Sequence, residues 1–400
     1  MKGTFAKLAL VSVVVAFVSL LMLPKRAAAI PAFARRYGTS CTTCHILPPK
    51  LNAFGVAFKN NGYRIPGDDE KFIKQPDVEL GAPGWKKVWP KGGVWPGAIA
   101  DRMPISGAVE LVTDVAPKEP VKVDFAFPEE IELLMGGTLG SRFSFFGDLA
   151  FEFAGGVTEV NFERGHLNMR LTNSPLVNLR VGRMETGATP FSRFTHRLTD
   201  KDFIISDFRA VPESGFSLRQ RQQGFEVWGA KNGPGGGGFQ YSAGLVNGSG
   251  SSNDDNSQKD WYGSASYKFR GFGVTGPSGT LDTLKATENY MDNSVEVGAF
   301  GYVGRTGATP AQEVRFNRAG VKINAYIHRL NLFGAYVRGH DLVLHSGEEG
   351  GPRTITTHAW FAQGDVVVLP WIVGTLRYDQ AIGDRSFLHL KRLEIGRAHV

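Results

Sequence analysis

The chain has very little cysteine: two residues in 400, Cys41 and Cys44, three positions apart. An exported protein of this size with no other cysteine has no disulfide framework, so something else must stabilise it. No acidic residue occurs before Ile30. Beyond Leu23 no apolar run approaches the about 20 residues that a membrane-crossing helix needs, which leaves strands as the only way the rest of the chain could cross a bilayer. Between Ile46 and Arg102 there is neither Met nor His. The glycine-rich run Gly233–Gly238 is not followed by Lys and Ser or Thr, which excludes a phosphate-binding loop and leaves a flexible turn. No lysine–arginine stripe with interleaved aromatics occurs, so nucleic acid is not a partner.

The first 29 residues combine Lys2 and Lys7, an apolar run from Leu8 to Leu23, and Ala27-Ala28-Ala29. A basic start, an apolar middle and small residues before a cleavage point describe a secretory signal peptide, cut near Ala29. An uncleaved anchor is the alternative, because Lys25 and Arg26 follow the run. Removing residues 1–29 takes away four cations and lowers the formal net charge from +7 to +3. The basic balance is therefore largely a property of the leader.

Cys41-Thr42-Thr43-Cys44-His45 fits the C-x-x-C-H pattern of c-type haem attachment. Two thiols must reach the two vinyl groups on one porphyrin edge, and the next residue must turn an imidazole onto the iron. The expected cofactor is one covalent haem c, with Cys41 and Cys44 as attachment points and His45 as an axial ligand. The alternatives are a disulfide across a short loop, or half of a zinc site with His45. Zinc would need further ligands, and residues 46–102 contain no Cys or His. The second axial position stays open. Met103 is the first candidate in chain order, followed by Met135, His166, Met169, Met184 and His196. After Pro48-Pro49, Leu51, Phe54 and Phe58 recur at helical spacing from Lys50 to Asn60, and Asn61-Gly62 supplies the stop. That helix is too short to build a core alone, and its apolar face, with Phe33 and Tyr37, is expected to pack on the haem.

From about Pro104 the texture changes to period-two alternation. Val321, Ile323, Ala325 and Ile327 alternate with Lys322, Asn324, Tyr326 and His328; similar runs surround 295–301 and 333–338. Others lie near 104–115, 129–139, 141–153, 158–172, 176–184, 223–231, 237–247, 260–270, 355–368 and 371–380. Runs of around ten residues match strands that cross a bilayer at a tilt. Asn247–Gln258 reads as a long polar loop outside a barrel. The expected fold is all-β: an outer-membrane, porin-like antiparallel β-barrel of about 14–16 strands, since bacterial barrels close with an even number. The expected divisions are a signal peptide over 1–29, a monohaem cytochrome c segment and linker over 30–100, the barrel over 101–393, and a non-native tail over 394–400. Glu394-Ile395-Gly396-Arg397-Ala398-His399-Val400 is what a common sequencing adapter encodes in one frame, and it lacks the terminal aromatic strand end expected of such a barrel. A truncated C-terminus follows from that reading.

The chain resembles the fused monohaem cytochrome–porin family, whose best-known members are outer-membrane iron oxidases of iron-oxidising bacteria. The resemblance is carried by Pro31-Ala32-Phe33-Ala34-Arg35-Arg36-Tyr37-Gly38 and Cys41–His45. It continues through Pro49-Lys50-Leu51-Asn52-Ala53-Phe54-Gly55, Phe58 and Asn61-Gly62-Tyr63. Beyond that block it is architectural only. It implies a haem segment plugging or lining the barrel, electrons taken from extracellular Fe(II), and delivery to a periplasmic c-type cytochrome, which is an Fe(II):cytochrome c oxidoreductase. No ferrous-iron site is carried over. Asp68-Asp69-Glu70, Asp254-Asp255 and Glu348-Glu349 read as solvated acidic loops. Two other functions fit the same features: electron export to an extracellular acceptor, and a diffusion porin with a haem-bearing gate. No distal His–Arg pair points to a peroxidase.

Overall fold

The computed structural model describes residues 32–67, 69–74, 77–79, 98–100, 104–115, 123–154, 157–199, 201–211, 216–249, 254, 256–276, 292–307, 313–344, 351–369, 372–383 and 389–399. The expected signal peptide, Met103, Asp68, Asp255, Glu348 and Glu349 lie outside these described residues.

A small N-terminal portion comes first. Helix α1 (Ala32–Tyr37) leads to a single 3-10 turn at Cys41–Thr43. A two-strand hairpin follows, β1 (His45–Leu47) and β2 (Lys50–Leu51), then helix α2 (Ala53–Asn60). Strands β3 (Asp77–Glu79) and β4 (Ala98–Ala100) pair with each other. The helix expected from Lys50 begins at Ala53, because the side chain of Asn52 accepts from the Gly55 backbone N–H and caps it there. The stop falls where expected, with Gly62 at φ 65°.

The remaining strands form one antiparallel sheet of fourteen, paired in chain order. They are β5 (Ile105–Val115), β6 (Val123–Leu139), β7 (Phe143–Ala154), β8 (Val157–Arg170), β9 (Asn178–Glu185), β10 (Arg221–Asn232) and β11 (Gly237–Val246). Then come β12 (Asp260–Phe269), β13 (Asp292–Thr306), β14 (Val314–His328), β15 (Leu330–Val343), β16 (Arg353–Leu369), β17 (Ile372–Gly383) and β18 (His389–His399). Thirteen of these lie on the alternating runs of the sequence. The fourteenth, β18, pairs with β17 from Ile372↔His399 to Ile382↔His389, in a stretch where no strand was expected.

The polarity of this sheet is inverted relative to a soluble β-protein. Phe125, Phe225, Trp261, Val303, Val321 and Leu393 stand exposed on one face. Asp148, Gln222, Glu226, Arg318, Asp365 and Arg377 are buried on the other. Exposed apolar and enclosed polar residues alternating along each strand are the pattern of a barrel whose outer wall meets lipid. The sheet curls around the N-terminal portion, because that portion touches strands near both of its ends. The Ala32 backbone N–H donates to Ser106 Oγ on β5 at 2.6 Å, and Lys50 Nζ donates to Asn331 Oδ1 on β15 at 2.6 Å. Ile46 and Leu47 pack with Val367 and Val373 on β16 and β17.

The two rims differ. At one, strands are joined mainly by short turns, at 140–142, 171–177, 233–236 and 329, although residues 270–291 separate β12 from β13 there. At the other most connections are longer, though β7 and β8 are only two residues apart, and the longest, 186–220, folds inward. It carries short helices α3 (Arg193–His196) and α4 (Ile204–Asp207). Its Phe191, Phe203, Ile205 and Phe216 pack against Tyr302, Phe316, Phe333 and Phe361 of the wall, forming the largest buried apolar cluster.

Candidate haem site

The thiol loop is built by three contacts from α2 and its cap. Asn52 donates through Nδ2 to the Thr42 and Thr43 carbonyls at 3.1 and 3.0 Å. Its backbone N–H donates to the Cys44 carbonyl at 2.9 Å. Gly55 closes the arrangement: a Cβ at this position would fall 2.1 Å from the Cys44 carbonyl oxygen, so only glycine lets the helix approach the loop this closely. Cys41 and Cys44 are free and half-buried. Burial pushes the Cys44 thiol up to about 12, with Cys41 beside it acting in the same direction.

His45 leaves the loop as the first residue of β1. Its Nδ1 lies 3.3 Å from the Pro49 carbonyl, which fixes the tautomer with the proton on Nδ1 and leaves Nε2 as the free lone pair. Burial lowers its pKa to about 4, against the smaller upward pull of the Pro49 and Lys50 backbone. A neutral imidazole with its second nitrogen oriented by a carbonyl is a ligand ready for iron. Two unlinked thiols, this imidazole and a glycine cradle form a donor set suited to haem c, and no other Cys, His, Asp or Glu joins it in a metal-sized group among the described residues.

Around Cys44 lies an aromatic cluster of Tyr37, Phe54 and Phe58, with Phe33, Tyr63 and Phe272 packed against it. Tyr63, in the left-handed region at φ 60°, is stacked between Phe33 at 5.4 Å and Phe146 of β7 at 5.7 Å. Tyr37 donates to Asp69 Oδ1 at 2.7 Å. On the other side, the wholly buried Lys50 meets Asp365 as well as Asn331, and its Nζ lies 4.5 Å from the centre of the Phe333 ring. Burial lowers its pKa and Asp365 works against that shift. Further ties reach the short-turn rim: Arg64 donates to the Gly140 and Phe143 carbonyls, both at 2.7 Å, and Arg170 to the Asn61 carbonyl at 2.8 Å. The thiol loop and His45 thus sit inside the barrel toward its short-turn rim.

The further axial candidates separate clearly. Met135 and Met169 lie on the outer face, opposite in strand parity to Gly136, which meets Phe33, and to Asn168, which meets Arg180. Met184 is buried within 4.0 Å of the Tyr262 hydroxyl. His166 faces inward with its ring 6.0 Å from Phe146. His196, on α3, is held well below the usual histidine pKa, first by burial and then by Lys50, Lys322 and Lys59.

The sequence did not reveal a second inward group. Glu132, Asp148 and Glu163, from β6, β7 and β8, bring carboxylate oxygens within 4.8 Å of one another. Three arginines answer them: Arg164 pairs with Asp148, and Arg193 and Arg221 with Glu163. Phe194 of α3 lies beneath all three guanidinium groups, at 3.4, 4.8 and 5.3 Å. These charges are far apart in sequence, and only the register of adjacent strands assembles them.

No protein-family model matches the sequence, and no curated protein does. Among solved structures, the chain is similar to the anion-selective porin of Comamonas acidovorans, at 13% identity and a TM-score of 0.46, over 73% of this chain and 83% of that one. It is also similar to a loop-deletion form of the outer membrane protein OmpT of Vibrio cholerae, at 11% identity and a TM-score of 0.37, covering 73% and 99%. A third is OccD3 of Pseudomonas aeruginosa, at 11% identity and a TM-score of 0.31, covering 85% and 98%.

Proposed function

We propose that this chain is an outer-membrane electron conduit: a porin-like barrel whose bore holds one covalent haem c on Cys41, Cys44 and His45. It takes electrons from extracellular Fe(II) and passes them to a periplasmic c-type cytochrome. The observation that carries this reading is the seating of the thiol loop within the bore, tied to the wall from β5 to β17. When bound, the haem supplies a one-electron centre, matched to a one-electron donor.

The chain's own residues supply the rest. His45 Nε2 is presented by the Pro49 carbonyl. The aromatic cluster around Cys44 keeps water away from one side, and lower polarity there favours the less charged state of a buried centre. Lys50 and Asp365 fix the hairpin to the wall, so the centre cannot drift along the bore. Outer-membrane barrels turn their short connections to the periplasm, and this orientation puts the thiol loop near a periplasmic acceptor. The apolar outer wall and the basic, apolar leader support the outer-membrane location. Fe(II), the substrate, can give up an electron by outer-sphere transfer and needs no ligand cage.

A diffusion channel fits less well, because the N-terminal portion and segment 186–220 both occupy the bore. The test is anaerobic: full-length protein matured with covalent haem, in isolated outer membranes, mixed with ferrous iron while the haem absorption is followed. Rapid reduction, abolished by His45→Ala, is expected. A covalent haem that ferrous iron cannot reduce would overturn the iron-oxidising reading.

A further inference from the structure

Three polar side chains meet inside the bore where the β1–β2 hairpin touches the wall. Lys50, wholly buried, places Nζ 2.6 Å from Asn331 Oδ1 and against the carboxylate of Asp365. Asn331 on β15 and Asp365 on β16 are direct cross-strand partners, and both are buried. The carboxamide is held in one orientation. Asn331 Nδ2 donates to Asn324 Oδ1 at 2.6 Å and to the Ala325 carbonyl at 3.1 Å, which leaves its own carbonyl turned to the amine. Asp365 is held as well: Oδ1 accepts from Gln363 Nε2 at 2.8 Å, and Oδ2 faces Lys50. The next inward pair along these strands is Phe333 and Gln363, and the centre of the buried Phe333 ring lies 4.5 Å from Nζ.

An ion pair needs only Lys50 and Asp365. The third member, an uncharged carboxamide fixed with its carbonyl on the amine, is an acceptor for acyl transfer. Burial lowers the Lys50 pKa, which favours the neutral amine, the nucleophilic form. Nucleophile, acceptor and proton carrier held together turn a collision in water into a step within the fold. The Phe333 ring keeps out water that would compete for the carbonyl.

We propose that Lys50 and Asn331 become joined by an isopeptide bond, with Asp365 as the proton carrier. Lys50 first gives a proton to Asp365. The free amine attacks Asn331 Cγ, the Cγ–Nδ2 bond breaks, and a second proton from Nζ leaves with Nδ2 as ammonia. One N–H remains on the new amide and Asp365 ends protonated, so neither buried charge survives. No oxidant, metal or haem takes part. The product ties β2, the partner of the strand that His45 begins, covalently to β15, and a cross-link of that span restricts the unfolded chain. Variants at Lys50 all lack the bond, so differences among them report the buried charge alone.

The test is mass spectrometry of the full chain, purified from outer membranes and digested with trypsin. The expected product is a branched peptide joining 37–59 to 330–338, uncut after Lys50 and lighter by one ammonia than its two parts. The same branch is expected in the haem-free Cys41→Ser, Cys44→Ser chain. Asn331→Ala and Asp365→Asn, in barrels that heat-modifiability gels show to be folded, should each be cut after Lys50 and carry no branch. In the wild type, cleavage after Lys50 with Asn331 unmodified overturns the proposal, and that result depends on no variant. A branch to the peptide holding Asp365, lighter by one water, overturns the choice of Asn331. A branch that persists in Asp365→Asn overturns the role of Asp365.

Discussion

A glycine sets how near α2 can come to the thiols. With 2.1 Å between a Cβ at position 55 and the Cys44 carbonyl, Gly55→Ala must push the helix away from the loop or distort it. The expected result is a severalfold loss of covalent haem per polypeptide, measured by pyridine haemochrome, with barrel formation unchanged on heat-modifiability gels. Lys50 is a second sensitive residue. Removing it by Lys50→Ala leaves Asp365 buried without its cation, and such uncompensated charges cost about 3–5 kcal/mol. Lys50→Met with Asp365→Leu should recover most of that in urea unfolding. Protonation supplies a third expectation. His45 is depressed to about 4 and His196 lies well below its ordinary value, so both are neutral in the fold and take up protons on unfolding. Stability of the haem-free Cys41→Ser, Cys44→Ser protein should be level above pH about 6.5, the ordinary histidine value. It should fall as the pH drops from there toward 4, which urea midpoints across that range would check. The haem expectation for Cys41, Cys44 and His45 could be read from sequence because its motif lies in five adjacent residues. Lys50 and Asp365, 315 positions apart, share no local signal.

At the scale of elements, period two was enough to place thirteen of the fourteen strands of the sheet, because each separates a lipid face from an enclosed one and neither tolerates the other's residues. Segment 186–220 carries no such period, and nothing in it announced an inward fold. Its position is fixed by distant wall residues. Buried Arg377 donates to Thr199 Oγ1 and to the Lys201 carbonyl, both at 2.8 Å, while Asp379 accepts from the Ile204 backbone N–H at 3.0 Å. Arg377→Leu should release this segment without breaking β17. The readout is proteolysis of intact outer-membrane vesicles: a new cut between α3 and α4 is expected, and wild-type resistance would count against the role given to Arg377. The helix starting three residues later than its apolar spacing suggested is a smaller lesson of the same kind. Asn52 is needed as a cap and as a clasp on the thiol loop, and those hydrogen bonds outweigh the helical spacing of Leu51.

For the whole molecule, the two-faced strands were foreseeable from alternation, the even strand number came from the closure rule for bacterial barrels, and the resemblance implied an N-terminal segment in the bore, whereas the inward fold of 186–220 was not foreseen. Val321 stands outward near the middle of β14, 56% exposed, so Val321→Arg should cost about 2–4 kcal/mol in a lipid bilayer, seen as reduced folding into vesicles. A polar exchange at inward Asn324 should be tolerated. The two segments in the bore predict low conductance in planar bilayers for the complete protein. Deleting residues 32–79 should raise it, and an unchanged conductance would mean that the N-terminal portion does not obstruct the passage.

The tethers from Ala32 on one flank and Leu47 on the other span β5 to β17, strands synthesised at opposite ends of the sheet. A peptide held this way cannot be threaded through a finished cylinder by either mouth without releasing its grip on one side. It serves as a mandrel, present before the wall wraps around it. The order of folding would then be the enclosed segment first and the wall second.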